Sequence, residues 1–205
     1  MINIALPKGR LANNISEMLS KAGYLFDGFN SDNRRLIFVD GRQELRAMTV
    51  KPSDVGVYVE RGVADAGIAG SDILNERKPD VLELLDLRTG ICRMSVAAPE
   101  GFSDDGVNVL RVATEFPNTA REYYASIGRE TDIITLKGSL ELAPLTGLSD
   151  VIVDIVQTGK TLRENGLKVI AEISEISAWL IVNKSSYIFK HKEISALIKE
   201  LCEIL

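Results

Sequence analysis

The chain is expected to be an α/β protein with largely parallel sheets, and three observations support this. Short β-branched runs alternate with apolar positions at helical spacing along almost the whole length, as parallel strands joined by crossover helices require. The run Asp150-Val-Ile-Val-Asp-Ile-Val156 empties into Gln157-Thr-Gly-Lys-Thr161 and then into a helical pattern that stops at Gly166, which reads as strand, turn and helix. No Pro/Gly/Ser-rich linker, low-complexity tract or repeat interrupts the alternation.

Taken in order, Ile2 to Leu6 is a short apolar strand. Leu11, Ile15, Met18, Leu19 and Ala22 recur at helical spacing, and Gly23 ends that helix. Arg35–Val39 and Leu45–Val50 read as strands. Ser53 is placed to cap a helix running to Gly62. Ala66–Ala69 is a strand, and Ser71 opens a short helix. Met94–Ala98 and Arg111–Thr114 are strands, and Pro117 starts a helix that continues to Ile127. Asp132–Leu136 is a strand followed by Gly138-Ser139 and a short helix. After the strand at 150–156 come Leu167–Ile173 and Ala178–Asn183. One long amphipathic helix, with Ile194, Leu197, Ile198, Leu201 and Ile204 on its apolar stripe, closes the chain. Two domains are expected: a discontinuous one of residues 1–90 plus 177–205, and a second of residues 91–176. A ligand cleft is expected between them.

Composition narrows the function classes. The 205 residues are 45% hydrophobic, enough for a substantial core, and the formal charge is -5, which disfavours nonspecific nucleic-acid binding. The two cysteines, Cys92 and Cys202, stand far apart with no CxxC or Cys/His cluster, so no structural zinc site is expected. The chain begins directly as a strand without the features of a signal peptide, and no apolar run approaches a bilayer's thickness. A cytoplasmic protein without membrane attachment is expected.

The strand–turn–helix at 150–166 suits an anion. Turn amides, Thr hydroxyls and Lys160 offer donors at a helix start. Gly159-Lys160-Thr161 looks like the end of a Walker A loop, but the glycine required five residues earlier is replaced by Asp154 inside the strand. An acid followed by Thr-Gly-x-Thr resembles a phosphoribosyl-diphosphate loop instead. A plain turn capped by Thr158 explains the same residues. Pro7-Lys8-Gly9-Arg10 sets two cations around a glycine at a strand end, and Asn33-Arg34-Arg35 adds a pair of arginines. Each suits a polyphosphate and equally a solvated turn or edge. The glycines of Asp65-Ala-Gly-Ile-Ala-Gly-Ser-Asp72 admit either a ligand or close packing. Glu141 falls in a first helical turn, where an acid also favours the helix dipole. His191, the single histidine, sits between Lys190 and Lys192, so a Ser-His-Asp site is disfavoured. Cys92 and Trp179 read as core, and the first turn offers no GxGxxG.

Together Leu6-Pro-Lys-Gly-Arg-Leu11, Asp65–Asp72, Arg111-Val-Ala-Thr-Glu-Phe-Pro-Asn118, Gly138-Ser-Leu-Glu-Leu-Ala-Pro144 and Gly147 through Leu162 resemble the catalytic subunits of ATP phosphoribosyltransferase in their short form. The motifs occur in the family's order and span nearly the whole chain. The resemblance implies two α/β domains similar to type II periplasmic binding proteins, with the active site in the interdomain cleft and no C-terminal regulatory domain. It implies a pentosyl transfer in histidine biosynthesis: N1 of the adenine of ATP joins C1 of phosphoribosyl diphosphate, and pyrophosphate leaves. It also implies magnesium held mainly by substrate phosphates, and a hetero-oligomer with a regulatory subunit similar to histidyl-tRNA synthetase.

Residue roles follow from the same resemblance. Thr158, Gly159 and Thr161 hold the 5-phosphate with help from Gln157 and Lys160, and Asp154 orients the ribose hydroxyls. Arg10 and Arg34 neutralise the departing pyrophosphate, and Lys8 and Gly9 approach the same polyphosphate region. Glu141 lies beside the cleft in the ATP and pyrophosphate region, to orient ribose or adenine, and Asp72 is a further candidate there. Glu115 stands where family members often carry Lys. The competing readings are a solute-binding protein of the same architecture, which would not turn over ATP, and a phosphoribosyltransferase acting on a free base.

Overall fold

The structure, a computed structural model, describes residues 1–9, 11–27 and 35–205. Arg10 and Arg34, and the start of the Asn33-Arg34-Arg35 segment, lie outside the described residues. The chain forms two compact units, one of Met1–Gly90 with Ser177–Leu205, the other of Ile91–Ile176.

Unit 1 is a six-stranded sheet. Its strands are β1 (Ile2–Pro7), β2 (Ile37–Val39), β3 (Leu45–Val50), β4 (Ala66–Gly70), β5 (Leu82–Asp86) and β11 (Ala178–Val182), in the order β2-β3-β1-β4-β11-β5. One face is covered by α1 (Ala12–Lys21) and α8 (His191–Cys202). Their apolar stripes, Ile15, Met18 and Leu19 on one and Ile194, Leu197 and Leu201 on the other, share a core with Ile4, Leu6, Ile68 and Leu180. The other face carries α2 (Val55–Glu60) and α3 (Ser71–Arg77), which bury Val55, Val59 and Leu74 against Ala5, Ala69 and Ile181. Close packing accounts for Gly67 here. A Cβ on it would stand 2.7 Å from Val59 Cγ2 and 2.8 Å from Val55 Cγ1, so the helix lies directly on the strand backbone.

Unit 2 is a five-stranded sheet of β6 (Cys92–Pro99), β7 (Leu110–Thr114), β8 (Thr131–Thr135), β9 (Val151–Val156) and β10 (Leu167–Ile176), in the order β10-β6-β9-β7-β8. The helix α4 (Pro117–Ser126) packs on β7 and β8. The opposite face carries α5 (Leu142–Leu145) and α6 (Lys160–Glu164), where Leu140, Ala143 and Leu162 meet Ala97, Ala113, Ile152 and Val156.

Both sheets are mixed, which corrects the largely parallel expectation. Parallel pairs β3-β1-β4 and β8-β7-β9 occupy one side of each sheet. Antiparallel pairs complete the other side through β11 and β6. The reason is topological. Each of these two strands enters its sheet straight from the other unit rather than through a crossover helix, so it runs the opposite way. The two units therefore share one five-strand topology, a repeat invisible in residue identities.

Three further expectations are corrected. Two helices, α7 (Lys184–Phe189) and α8, close the chain in place of one. The break falls at Lys190, whose backbone leaves helical geometry. Ser53 caps no helix: its hydroxyl donates to Asp54, and Pro52–Asp54 is a 3-10 turn. The strand β5 was not foreseen, because Leu82-Glu-Leu-Leu-Asp86 is made of residues equally at home in a helix and becomes an edge strand only by pairing with β11.

The closing helices are tied down by Asp65, which is 6% exposed. Its carboxylate accepts from the Asn3 amide at 2.8 Å, Ser186 Oγ at 2.7 Å and Lys190 Nζ at 2.6 Å. Burial pushes the carboxyl up, but the bonds from Lys190, Asn3 and Ser186 outweigh it and hold the group below its usual range. A depressed carboxyl contributes stability above its unfolded pKa and loses it as pH falls through the folded value. Asp65→Ala is accordingly expected to lose about 2–4 kcal/mol at pH 7, since it strands Lys190 and two further donors. Urea unfolding checks this. The deficit should shrink on acidification below about pH 4, and a deficit that stays constant with pH would contradict the network's role.

Candidate active site

The site begins with strand order. In unit 2 the chain runs from β7 to β8 on one side and then returns across to β9 on the other. Ligands of open α/β sheets bind beyond the carboxyl ends of such diverging strands. Thr114, fully buried at the end of β7, fixes this point. Its Oγ1 donates to the Val153 carbonyl at 2.7 Å and accepts from the Phe116 amide at 2.8 Å. Its own carbonyl accepts from the Leu136 amide at 3.0 Å, so one residue joins β7 to β9 and to the end of β8.

Beyond this junction, Glu141 and Asp154 through Leu162 line a pocket of ≈ 340 Å³. It gathers Asp154, Gln157, Thr158, Gly159, Lys160, Thr161 and Glu141, seven of the residues singled out from sequence. Gly159 is the N-cap of α6 at φ +67°, a left-handed conformation that disfavours any side chain. The capping reading of Thr158 is thus not what the turn uses. Thr158 Oγ1 accepts only a long 3.4 Å bond from the Lys160 amide. The first amides of a helix have no intrahelical acceptor, and those at this junction belong to residues that line the pocket, with Thr158 and Thr161 exposed. Lys160 makes only a surface ion pair with Glu164 at 3.8 Å, worth little and easily exchanged for an anion.

Asp154 is the unusual group. It sits inside β9, and the Ile155 amide donates to its Oδ1 at 2.7 Å. Burial pushes its carboxyl up to about 6; the Ile155 bond offsets part of this, and the nearby charges of Glu141 and Glu115 add to it. Glu115 follows β7 where continuation of the parallel register brings it beside Asp154. Two acids, Asp154 and Glu141, thus face a pocket whose rim is built of donors, and Glu115 acts on Asp154 as a nearby charge. That arrangement suits a ligand with an anionic end and a polyhydroxylated, electron-poor body, such as a sugar phosphate.

Sequence reasoning missed two residues. Arg163 Nη1 donates to the Thr158 carbonyl at 3.0 Å and lies 3.2 Å from where a Gly159 Cβ would stand, so it braces the loop from outside. Its place one helical turn past Gly159 was the available signal. Sequence assigns Glu115 no role because family members often carry Lys there, and nothing in its local pattern joins it to Asp154, 39 positions later in the chain.

The remaining singled-out residues belong to unit 1. Lys8 and Gly9 follow β1, and Asp72 lies in the first turn of α3 after β4. Because β1 and β4 are adjacent and parallel, all three stand at one sheet edge. This is the topological equivalent of the edge that carries Glu115 and Asp154. Gly9 is exposed at φ +84° with open space around it. Asp72 folds back over Gly70, its Oδ1 lying 2.1 Å from where a Cβ on Gly70 would stand. His191 is exposed and stacks edge-on with Tyr187; Cys92 is buried.

The fold places the chain among α/β proteins of the periplasmic-binding kind. It superposes on a putative L-cystine ABC transporter from Listeria monocytogenes with a TM-score of 0.56 at 12% identity, covering 97% of this chain and 89% of that one. At that identity the likeness speaks for the fold alone. The family described as HisG, ATP phosphoribosyltransferase, matches residues 51–203. An ATP phosphoribosyltransferase of Brachyspira hyodysenteriae is 54% identical over 100% of both chains. One from Caldanaerobacter subterraneus subsp. tengcongensis is 49% identical over 100% of this chain and 98% of its own. A solved ATP phosphoribosyl transferase (HisG:HisZ) complex from Thermotoga maritima has a TM-score of 0.85 at 39% identity, covering 100% of this chain and 97% of that one. The chain belongs to the HisG family of ATP phosphoribosyltransferases, which catalyse the first step of histidine biosynthesis. No helix among the described residues is long and apolar enough to cross a membrane.

A raised carboxyl has a consequence for stability. The native state prefers Asp154 protonated, so its favourable contribution is complete below the unfolded pKa and is lost as pH rises through about 6. Asp154→Asn keeps the shape without the charge. At pH 8 the variant is expected to be more stable than the parent by about 1–3 kcal/mol, and at pH 4 equally stable. Thermal or urea unfolding at the two pH values decides it; a variant less stable at pH 8 would contradict the buried-charge account.

Proposed function

We propose that the pocket of unit 2 is the phosphoribosyl-diphosphate site of this transferase. Support comes chiefly from one observation: Asp154 and the Gln157–Thr161 turn line the same pocket. The 5-phosphate is taken by the amides at the Gly159 junction with the hydroxyls of Thr158 and Thr161, and Gln157 and Lys160 add donors. Asp154 accepts from the ribose hydroxyls, with Glu141 beside it toward the nucleotide. Lys8 and Gly9, at the edge of unit 1, receive polyphosphate, and Asp72 at that edge serves ATP orientation. Arg10 and Arg34 meet the leaving pyrophosphate.

The chemistry needs no side-chain nucleophile. The lone pair of adenine N1 forms the new bond to C1 as the bond from C1 to the diphosphate oxygen breaks, and pyrophosphate carries away that electron pair. Positive charge grows on the ribose, next to the carboxylates of Asp154, Glu141 and Glu115, and negative charge grows on pyrophosphate, where the arginines act. Fixed charges of the right sign at each end are worth more here than in water, and holding both substrates removes much of the entropic barrier.

The carboxylates and hydroxyls around the pocket are hard oxygen donors. They are compatible with magnesium arriving on the diphosphate, bound by phosphate oxygens and water, where the charge it neutralises would ease the leaving group's departure. The Thermotoga maritima relative was solved as a HisG:HisZ complex, and its likeness supports a regulatory partner of the HisZ kind for this chain. The reaction's substrates support a cytoplasmic location.

Three measurements test the reading. ATP, phosphoribosyl diphosphate and magnesium should give the N1-phosphoribosylated nucleotide, read by its ultraviolet absorbance, and more of it with a HisZ-type partner present. Arg10→Ala or Arg34→Ala should lower kcat by about 10²-fold, since one preorganised donor commonly contributes on that order; turnover at the parental rate, with chemistry limiting, would remove both from the mechanism. Separately, Gly159→Val should abolish phosphoribosyl-diphosphate binding in calorimetry while the fold persists, and Thr158→Val should weaken it by about 1 kcal/mol. Undiminished binding by Gly159→Val would exclude this loop.

A further inference from the structure

Beneath Asp154 the sheet carries a polar group that the loop pocket does not account for. Ser95 lies in the middle of β6, directly opposite Asp154 in the antiparallel β6–β9 ladder. Residues opposed in this way project to the same face with Cβ atoms about 4.5–5.5 Å apart. That face is the one under α5 and α6, where Ala97 and Ile152, the next pair along the ladder, meet Leu140 and Leu162. Ser95 is 1% exposed, and its hydroxyl has no hydrogen-bond partner. A buried hydroxyl is seldom left unpaired, because desolvation without a replacement bond is costly. Such an atom beside a functional carboxylate marks a bond formed in the working state.

We propose that Ser95 is a positioning residue for Asp154: with the sugar bound, its hydroxyl donates to the Asp154 carboxylate and fixes the orientation in which the carboxylate receives the ribose hydroxyls. This rests on Asp154 being the ribose-binding acid. The other groups around Asp154 cannot replace Ser95 from beneath. Glu141 at the start of α5 and Glu115 after β7 are acids that oppose the charge. The Ile155 amide already donates to Oδ1. Arg93, two residues from Ser95 on the same face, is paired with Glu172 of β10. On α6, Arg163 holds the Thr158 carbonyl and Lys160 faces Glu164. Glu172 is also opposite Ser95, across the β6–β10 ladder, but Arg93 occupies it.

The test is the titration of the Asp154 carboxyl, followed by carbon NMR of aspartate-labelled protein saturated with ribose 5-phosphate. A donor to the ionised form lowers its pKa, so removing it raises the midpoint. Ser95→Ala is expected to titrate about one pH unit higher than the parent. The acid limb of kcat/KM for phosphoribosyl diphosphate should move the same way, while kcat on the alkaline plateau changes little. Ser95→Thr, which keeps the hydroxyl, should restore the parental midpoint. Ser95→Ala removes a single atom, and circular dichroism verifies its fold. If Ser95→Ala titrates with the parent while Asp154→Asn no longer binds ribose 5-phosphate, Ser95 has no positioning role and the ribose assignment stands. If Asp154→Asn binds as the parent does, the ribose assignment fails and the role of Ser95 with it.

Discussion

Everything at the site depends on where β9 lies, between a parallel neighbour and an antiparallel one. The bond from Thr114 Oγ1 to the Val153 carbonyl locks β9 against β7 one residue before Asp154. On the other side the β6 ladder sets Ser95 opposite the same aspartate. A slip of one residue in either register would turn Asp154 toward α4 and bring an aliphatic side chain to the pocket floor. The turn at Gly159 then carries the chain over that floor, and Arg163 holds it from outside. Position is thus imposed by buried backbone pairing, and the exposed loop only completes it.

The arrangement sets stability against chemistry. An acid inside a strand, close to two other acids, is poorly solvated and reluctant to ionise, which is why its carboxyl stands near 6. A purely structural sheet would place an aliphatic residue there, as it does at Ile152 and Val156 on the same face. Retaining the acid is understandable where a sugar brings hydroxyl donors and a carbon that becomes cationic. Asp65 makes the contrast: it is buried at 6% exposed, yet the bonds it receives from Lys190, Ser186 and Asn3 hold its carboxyl below the usual range. This acid is satisfied by the protein and ties helices to a sheet. The other, Asp154, receives the Ile155 amide and stands near two like charges.

The sequence made much of this legible, for reasons that can be stated. The βα units were readable because apolar periodicity and turn residues are local signals, and the Asp154–Thr161 segment was readable because acid, turn and helix start are contiguous. Strand direction was not, because periodicity does not name a strand's partner: β6 and β11 look like their parallel neighbours in composition. The break between α7 and α8 escaped because it falls at Lys190, whose partner Asp65 stands 125 positions earlier and leaves no local signal. Glu115, Ser95 and Asp154 come from three separate segments, and only sheet order brings them side by side. The shared topology of the two units was hidden for the same reason.

In the proposed complex the 5-phosphate sits on the Gly159 junction with the ribose over Asp154. A structure determined with phosphoribosyl diphosphate and magnesium bound decides this. The 5-phosphate should lie within hydrogen-bonding distance of the amides between Gly159 and Thr161, and a ribose hydroxyl should bond Asp154. A phosphoribosyl group seated elsewhere in the chain, with that junction facing only water, would contradict it.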